Sequence, residues 1–105
     1  MEKRDYLVML YDYYYVLFTD KQRKYFEDYY FNNLSLREIS DNINISRNAI
    51  HKVIRNMEDK LLFFEDNLHL YNKSKLLCEI IDEIDDVKIK NKLERLLWYE
   101  FYWWG

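Results

Sequence analysis

Leu36-Arg37-Glu38-Ile39-Ser40-Asp41-Asn42-Ile43-Asn44-Ile45-Ser46-Arg47-Asn48-Ala49-Ile50-His51-Lys52-Val53-Ile54-Arg55 is the stretch on which the fold turns. Counted from Leu36, the fourth, eighth, tenth, fifteenth and eighteenth places hold Ile39, Ile43, Ile45, Ile50 and Val53. Two short helices that cross at about 90–120° over a tight turn need apolar residues at such offsets. They also need a small residue at the fifth place, where they nearly touch, and Ser40 stands there. The ninth place lies in the turn and wants a residue tolerant of positive φ. Asn44 fills it, and after glycine asparagine is the residue best suited. The stretch spells a helix-turn-helix.

Working outward, Ser35-Leu36-Arg37-Glu38 has the form of a capping box at the start of the first motif helix, and Ser46 caps the second. Thr19-Asp20-Lys21-Gln22 is another capping box. The helix it opens is expected to run to about Phe31, burying Phe26 with Tyr29 or Tyr30, before Asn32-Asn33 breaks it. A helix from Lys3 to Phe18 would precede it, with Leu7, Leu10, Tyr14, Leu17 and Phe18 on one face. The helix after Ser46 keeps a three/four spacing through Ile50, Val53, Ile54, Met57, Leu61, Phe64 and Leu68, so it is long. Beyond Leu70-Tyr71-Asn72 the pattern resumes with Leu76, Leu77, Ile80, Ile81 and Ile84. Cys78, beside Ile81, is expected there as a small buried hydrophobe. A break at Asp85-Asp86 precedes a last helix carrying Val87, Leu93, Leu96 and Leu97. Residues 1–70 form the expected helix-turn-helix domain. Residues 71–105 form a C-terminal helical extension packing on the same core or on a dimer partner.

Composition agrees. The chain of 105 residues has one Gly and no Pro, which nearly excludes a β-sandwich or barrel and suits helix interiors. The expected class is all-α: a wingless helix-turn-helix with a long recognition helix and extra C-terminal helices. Aromatics reach 19% while Ala occurs only at position 49, a bias best explained by AT-rich coding. The uncharged runs, Tyr13 to Thr19 among them, are far short of the roughly 20 residues of a membrane span. The mixed charges of Met1 to Asp5 do not resemble a signal peptide, and a single cysteine forms no internal disulfide. A cytoplasmic protein is expected.

The outward face of the second motif helix presents Ser46, Arg47, Asn48, His51, Lys52 and Arg55. From Ser46 to Asn56 there are three basic residues and no acidic one. Its N-terminus adds free N–H groups and the positive end of the dipole. Arg47 and Asn48 are side chains able to pair bidentately with guanine and adenine edges. The plainer alternative is a solvated surface face. The surrounding motif favours contact with double-stranded DNA, through a local patch because the net charge is −3. Lys21, Arg23 and Lys24 are candidate phosphate contacts. Chemistry for catalysis is poorly supplied: His51 and His69 lie far apart with no metal-ligand spacing, and the only glycine is Gly105. Asp82, Glu83, Asp85 and Asp86 suit a solvated helix end. No enzyme, metal or cofactor is expected.

The same residues carry a family likeness. Leu17-Phe18-Thr19-Asp20-Lys21-Gln22-Arg23-Lys24-Tyr25-Phe26, Tyr29-Tyr30, Leu34-Ser35-Leu36-Arg37-Glu38-Ile39 and Ile45-Ser46-Arg47-Asn48-Ala49-Ile50 resemble the YlxM family of small bacterial helix-turn-helix proteins. The likeness continues through Leu61 and Phe64-Glu65-Asp66-Asn67-Leu68. The resemblance implies a protein similar to sigma region 4, encoded beside the signal recognition particle GTPase and regulating genes of that pathway. An adaptor that binds the particle's RNA or GTPase is the alternative. The apolar stripes of the last three helices exceed what a three-helix motif covers, so a homodimer through the C-terminal helices is expected. The aromatic end, Trp98-Tyr99-Glu100-Phe101-Tyr102-Trp103-Trp104-Gly105, is not a pattern of that family. It is expected to pack on the first helix or a second subunit, with a strain-specific or disordered end as the alternatives.

Overall fold

Six helices and one 3-10 turn make up the computed structural model, which describes the backbone of residues 1–101 and the side chains of residues 1–97. Helix α1 spans Lys3–Tyr14 and passes into the 3-10 turn Tyr15–Leu17. It is followed by α2 (Asp20–Tyr30), α3 (Leu36–Ile43), α4 (Arg47–Leu68), α5 (Leu70–Asp82) and α6 (Val87–Phe101). Among the described residues there is no strand. The aromatic stretch from Trp98 to Gly105 lies outside the residues whose side chains are described.

Local chemistry sets most boundaries. Thr19 accepts from the N–H of Gln22 at 3.2 Å while the Gln22 side chain accepts from the N–H of Thr19 at 2.9 Å. Ser35 and Glu38 repeat this reciprocal pair at 3.1 and 3.2 Å. These boxes occupy N–H groups that a helix start leaves unpaired. Three non-glycine residues with positive φ make the sharp exits: Asn33 (54°), Asn44 (56°) and His69 (57°). In this nearly glycine-free chain they take the place glycine usually holds. At the end of α2, Arg4 donates to the carbonyls of Tyr29 and Tyr30 at 3.3 and 3.4 Å, with its guanidinium 4.5 Å from the Tyr30 ring centroid. A cation there complements the negative end of the helix.

The spine is α4, against which α1, α2 and α3 all pack. Leu10, Phe26, Ile50, Met57 and Leu61 are wholly inaccessible at the centre. Each contributes about 2 kcal/mol of burial. Aromatic rings fill the rest: Tyr11 stacks on Phe26 at 4.2 Å and Phe26 on Tyr30 at 4.3 Å. The aromatic surplus is therefore largely core. The α1 boundary differs from expectation. The chain tightens into a 3-10 turn at Tyr15, and that change of phase turns Phe18 inward while Leu17 stays 55% exposed. Leu68, at the end of the α4 stripe, is likewise exposed.

The α4–α5 junction is held by a buried carboxylate. Glu65 accepts from the Tyr14 hydroxyl at 2.6 Å and from the N–H groups of Tyr71 and Asn72 at 3.1 and 3.0 Å. The Tyr14 oxygen in turn accepts from the N–H of Leu70 at 3.1 Å. The first turn of α5 is thus capped from α4 and α1, not by a side chain of its own N-cap, His69. Leu70 and Tyr71 pack on the core, with Tyr71 edge-on to Tyr6 and Tyr13 at 5.8 and 6.0 Å. From there α5 and α6 form a hairpin, and the molecule measures 56 × 26 × 21 Å. Asp86 opens α6, its carboxylate accepting from the N–H groups of Lys88 and Ile89 at 2.9 and 3.2 Å. The α5 stripe divides: Ile81 is buried with Ser74, whereas Leu76 and Ile80 are about half exposed. Cys78, expected to be buried, is exposed, because α5 buries only the line through Ser74 and Ile81 and Cys78 falls on its flank.

Candidate nucleic-acid interface

The turn between α3 and α4 is built from three polar side chains. Asn44 adopts the left-handed conformation (φ 56°, ψ 40°), and its N–H bonds the Ser40 carbonyl. The Ser40 hydroxyl donates across the turn to the carbonyl of Ile45. Ser46 then caps α4, accepting from the N–H of Ala49 at 3.2 Å. Ile39 and Ile50 lock the pair from beneath, at 1% and 0% exposure. The two helices brace each other, and the start of α4 is held at one end of the molecule. The C-terminal hairpin begins at the other end of α4, about 33 Å away for its 22 residues.

Ser46, Arg47, Asn48, His51, Lys52 and Arg55 are all exposed. Their helix buries Ile50, Ile54, Met57, Leu61 and Glu65 on the opposite face. Helical geometry separates the five that follow Ser46 into two sets, since neighbours on one face recur at three and four residues. Asn48, Lys52 and Arg55 form the outermost row, while Arg47 and His51 lie on the flank toward α3. That flank borders an open groove of about 650 Å³ lined by Tyr29, Ser35, Leu36, Arg37, Arg47, Asn48 and His51. Arg37, on the first turn of α3, thus shares the groove with Arg47. Sequence periodicity gave no sign of Arg37, since only the crossing of two helices brings it there.

Among the described residues the ion pairs are Arg23 with Asp20 and Lys24 with Asp28 at 3.1 Å. Of the three candidate phosphate contacts on α2, then, two are held by their own carboxylates. Lys21 lines a smaller notch of about 350 Å³ with Tyr25, Ile45, Ala49 and Val53, on the other flank of α4. Arg37, Arg47, Lys52 and Arg55 have no carboxylate partner among the described residues. No acidic residue lies in the first turn of α4. An exposed helix whose leading turns carry cations and an amide has the dimensions and donors to enter a major groove about 12 Å wide. Among the described residues no group of three or more His, Cys, Asp or Glu is placed to hold a metal ion. No helix among them is long and apolar enough to cross a membrane.

This geometry defines a helix-turn-helix protein, a non-catalytic kind of fold associated with nucleic-acid binding. The sequence profile of the UPF0122 family, described as "Putative helix-turn-helix protein, YlxM / p13 like", matches residues 1–98, and the chain belongs to that family. A UPF0122 protein of Malacoplasma penetrans is 44% identical over 89 residues, covering 85% of this chain and 80% of its own. One from Mycoplasma capricolum is 38% identical over 106 aligned residues, covering 96% and 94%. A third, from Caldanaerobacter subterraneus, is 41% identical over 81 residues, covering 77% and 69%.

Proposed function

We propose that this protein is a cytoplasmic DNA-binding regulator that lays the start of α4 in the major groove of double-stranded DNA. The observation that carries this reading is the outward, carboxylate-free cationic face from Ser46 to Arg55, held rigid by the Ser40–Asn44–Ser46 turn. Asn48, Lys52 and Arg55 meet the groove floor and its near walls, and Arg47 with His51 and Arg37 grips the backbone at the α3 side. Lys21 adds a phosphate contact on the other flank. Phosphate contacts position the protein, and base choice falls to Asn48 and the rest of its row. Residues 1–70 act as the reading unit. Residues 71–105 couple two copies through the C-terminal helices, so that two recognition helices address neighbouring half-sites. Genes of the signal recognition particle pathway are the regulatory target, a choice supported by the resemblance to the YlxM family.

Anisotropy titration of labelled duplex from upstream of the particle's GTPase gene tests this. Arg47→Ala and Lys52→Ala each lower affinity about tenfold with unchanged far-UV circular dichroism. The slope of log affinity against log salt falls by about one for each phosphate that a variant no longer neutralises. Absence of binding by the parent, or binding by both variants as tight as the parent's, contradicts the reading. The net charge of −3 favours a second reading, an adaptor on the particle's RNA or GTPase. Structured RNA is bound by stacking and phosphate contact, not by a helix in its deep narrow groove. The large burial of Tyr11, Tyr14, Tyr25 and Tyr30 removes much of the aromatic surface such stacking needs. Co-purification of that RNA or GTPase, with DNA binding that stays non-specific, selects the adaptor.

A further inference from the structure

Half-exposed apolar side chains gather on the C-terminal hairpin. Leu76 and Ile80 of α5 are 49% and 50% exposed, and Ile89 and Leu96 of α6 are 50% and 53% exposed. The first pair is one helical turn apart and the second two turns, so each pair forms a row along its helix. On α5 the row lies on one side of the half-buried Leu77 and Ile84, whereas Tyr71 and Ser74, nearer α1, lie on the other. On α6 the row sits about a quarter-turn from the half-buried Leu93 and Leu97. Because the short link over residues 83–86 sets the two helices antiparallel, right-handed winding brings both rows to the same side of the hairpin, away from α1.

The charges flanking this face say what covers it. The row runs into an exposed charge at each end, reading Lys73, Leu76, Ile80 and, at the C-cap of α5, Glu83. Reversed about position 78, lysine falls on glutamate and leucine on isoleucine. The whole helix shares the polarity, with Lys73 and Lys75 in its first half and Glu79, Asp82 and Glu83 at its end. A parallel partner would set like charge against like. An antiparallel copy sets opposite charges together at both ends, which is what an isologous two-fold interface requires.

We propose that a second copy of this chain covers this face, with the two α5 helices antiparallel about position 78 and the two α6 helices flanking them. Leu76 packs on the partner's Ile80 and Lys73 meets the partner's Glu83, each contact occurring twice. The inference rests on the two-copy reading above and fixes its interface. Cys78 points away from the seam, half a turn round from the Leu76–Ile80 row, and takes no part in it.

Sedimentation equilibrium of the full chain, without nucleic acid, tests the arrangement. The parent is a dimer. Lys73→Glu and Glu83→Lys each weaken self-association at least tenfold, and the double variant carrying both recovers it. Leu76→Asp yields a monomer with parental helicity, because the position is half exposed and outside the core. A monomeric parent overturns this interface and the two-copy reading together. A dimer indifferent to both charge reversals and to Leu76→Asp overturns the α5 interface alone and leaves two copies joined elsewhere.

Discussion

Asn44 carries a turn that glycine usually makes, at φ 56° between two helices only three residues apart. A residue with a Cβ pays about 1–2 kcal/mol in that region, and asparagine less than most because its amide bonds locally. Asn44→Ala is therefore expected to lower stability by about 1 kcal/mol, and Asn44→Gly to change it little. Urea unfolding, read as a shift in midpoint at constant slope, distinguishes them. Equal midpoints for the alanine variant and the parent would show the turn relaxing to another conformation. The ninth place was legible because few residues tolerate that backbone. What Ser40 does there was not: its size predicted close approach, but the hydroxyl also bonds the Ile45 carbonyl, a contact visible only once the turn is closed. Arg37 was hidden for a related reason. Its place opposite Arg47 follows from the angle between α3 and α4, which no single-helix pattern encodes.

At the scale of elements, the caps that were readable lie within three residues of what they cap, as at Thr19–Gln22 and Ser35–Glu38. The boundary at His69 has no such signature. Its positive φ is enforced by Glu65 and by Tyr14, the latter 56 residues away from the Leu70 N–H it accepts. Glu65→Leu strands the buried Tyr14 hydroxyl and the partly buried N–H groups of Tyr71 and Asn72, and a buried group left without a partner costs about 1–3 kcal/mol. A net loss of about 3 kcal/mol is expected, with about 1 kcal/mol for Tyr14→Phe. Hydrogen exchange adds the location: the amides of residues 70–72 lose protection before those of the α4 core. Uniform loss across α4 and α5 would mean that Glu65 supports the bundle generally and not the junction. The division of the α5 stripe belongs to this scale too. Periodicity marked five apolar residues, but a helix that packs on α1, α4 and α6 from one side buries that side of them and leaves Leu76 and Ile80 outside.

Across the whole molecule, three tyrosine–carboxylate bonds tie the helices together. Tyr11 donates to Glu27 at 2.6 Å, joining α1 to α2, and Tyr14 to Glu65 at 2.6 Å joins α1 to α4. Tyr30 donates to Glu58, joining α2 to α4. Burial pushes all three phenols above their ordinary range, and the bond to a carboxylate pushes them further, since ionisation would set two anions side by side. Unfolded, the same phenols titrate near pH 10. Their folded values are raised, so the folded chain keeps protons that the unfolded chain gives up. The stability they supply is complete below about pH 10 and drains away as pH climbs from there toward the folded values. The chain has 11 tyrosines, and phenolate absorbance should therefore rise in two stages. The first stage leaves far-UV circular dichroism intact. Tyr11, Tyr14 and Tyr30 ionise only as helicity collapses. Replacing Tyr11 with Phe removes one of the three and makes the second stage shallower in pH. Completion of the absorbance change on a fully helical protein would mean that these hydroxyls reach water without unfolding, and that the bundle is not fastened through them.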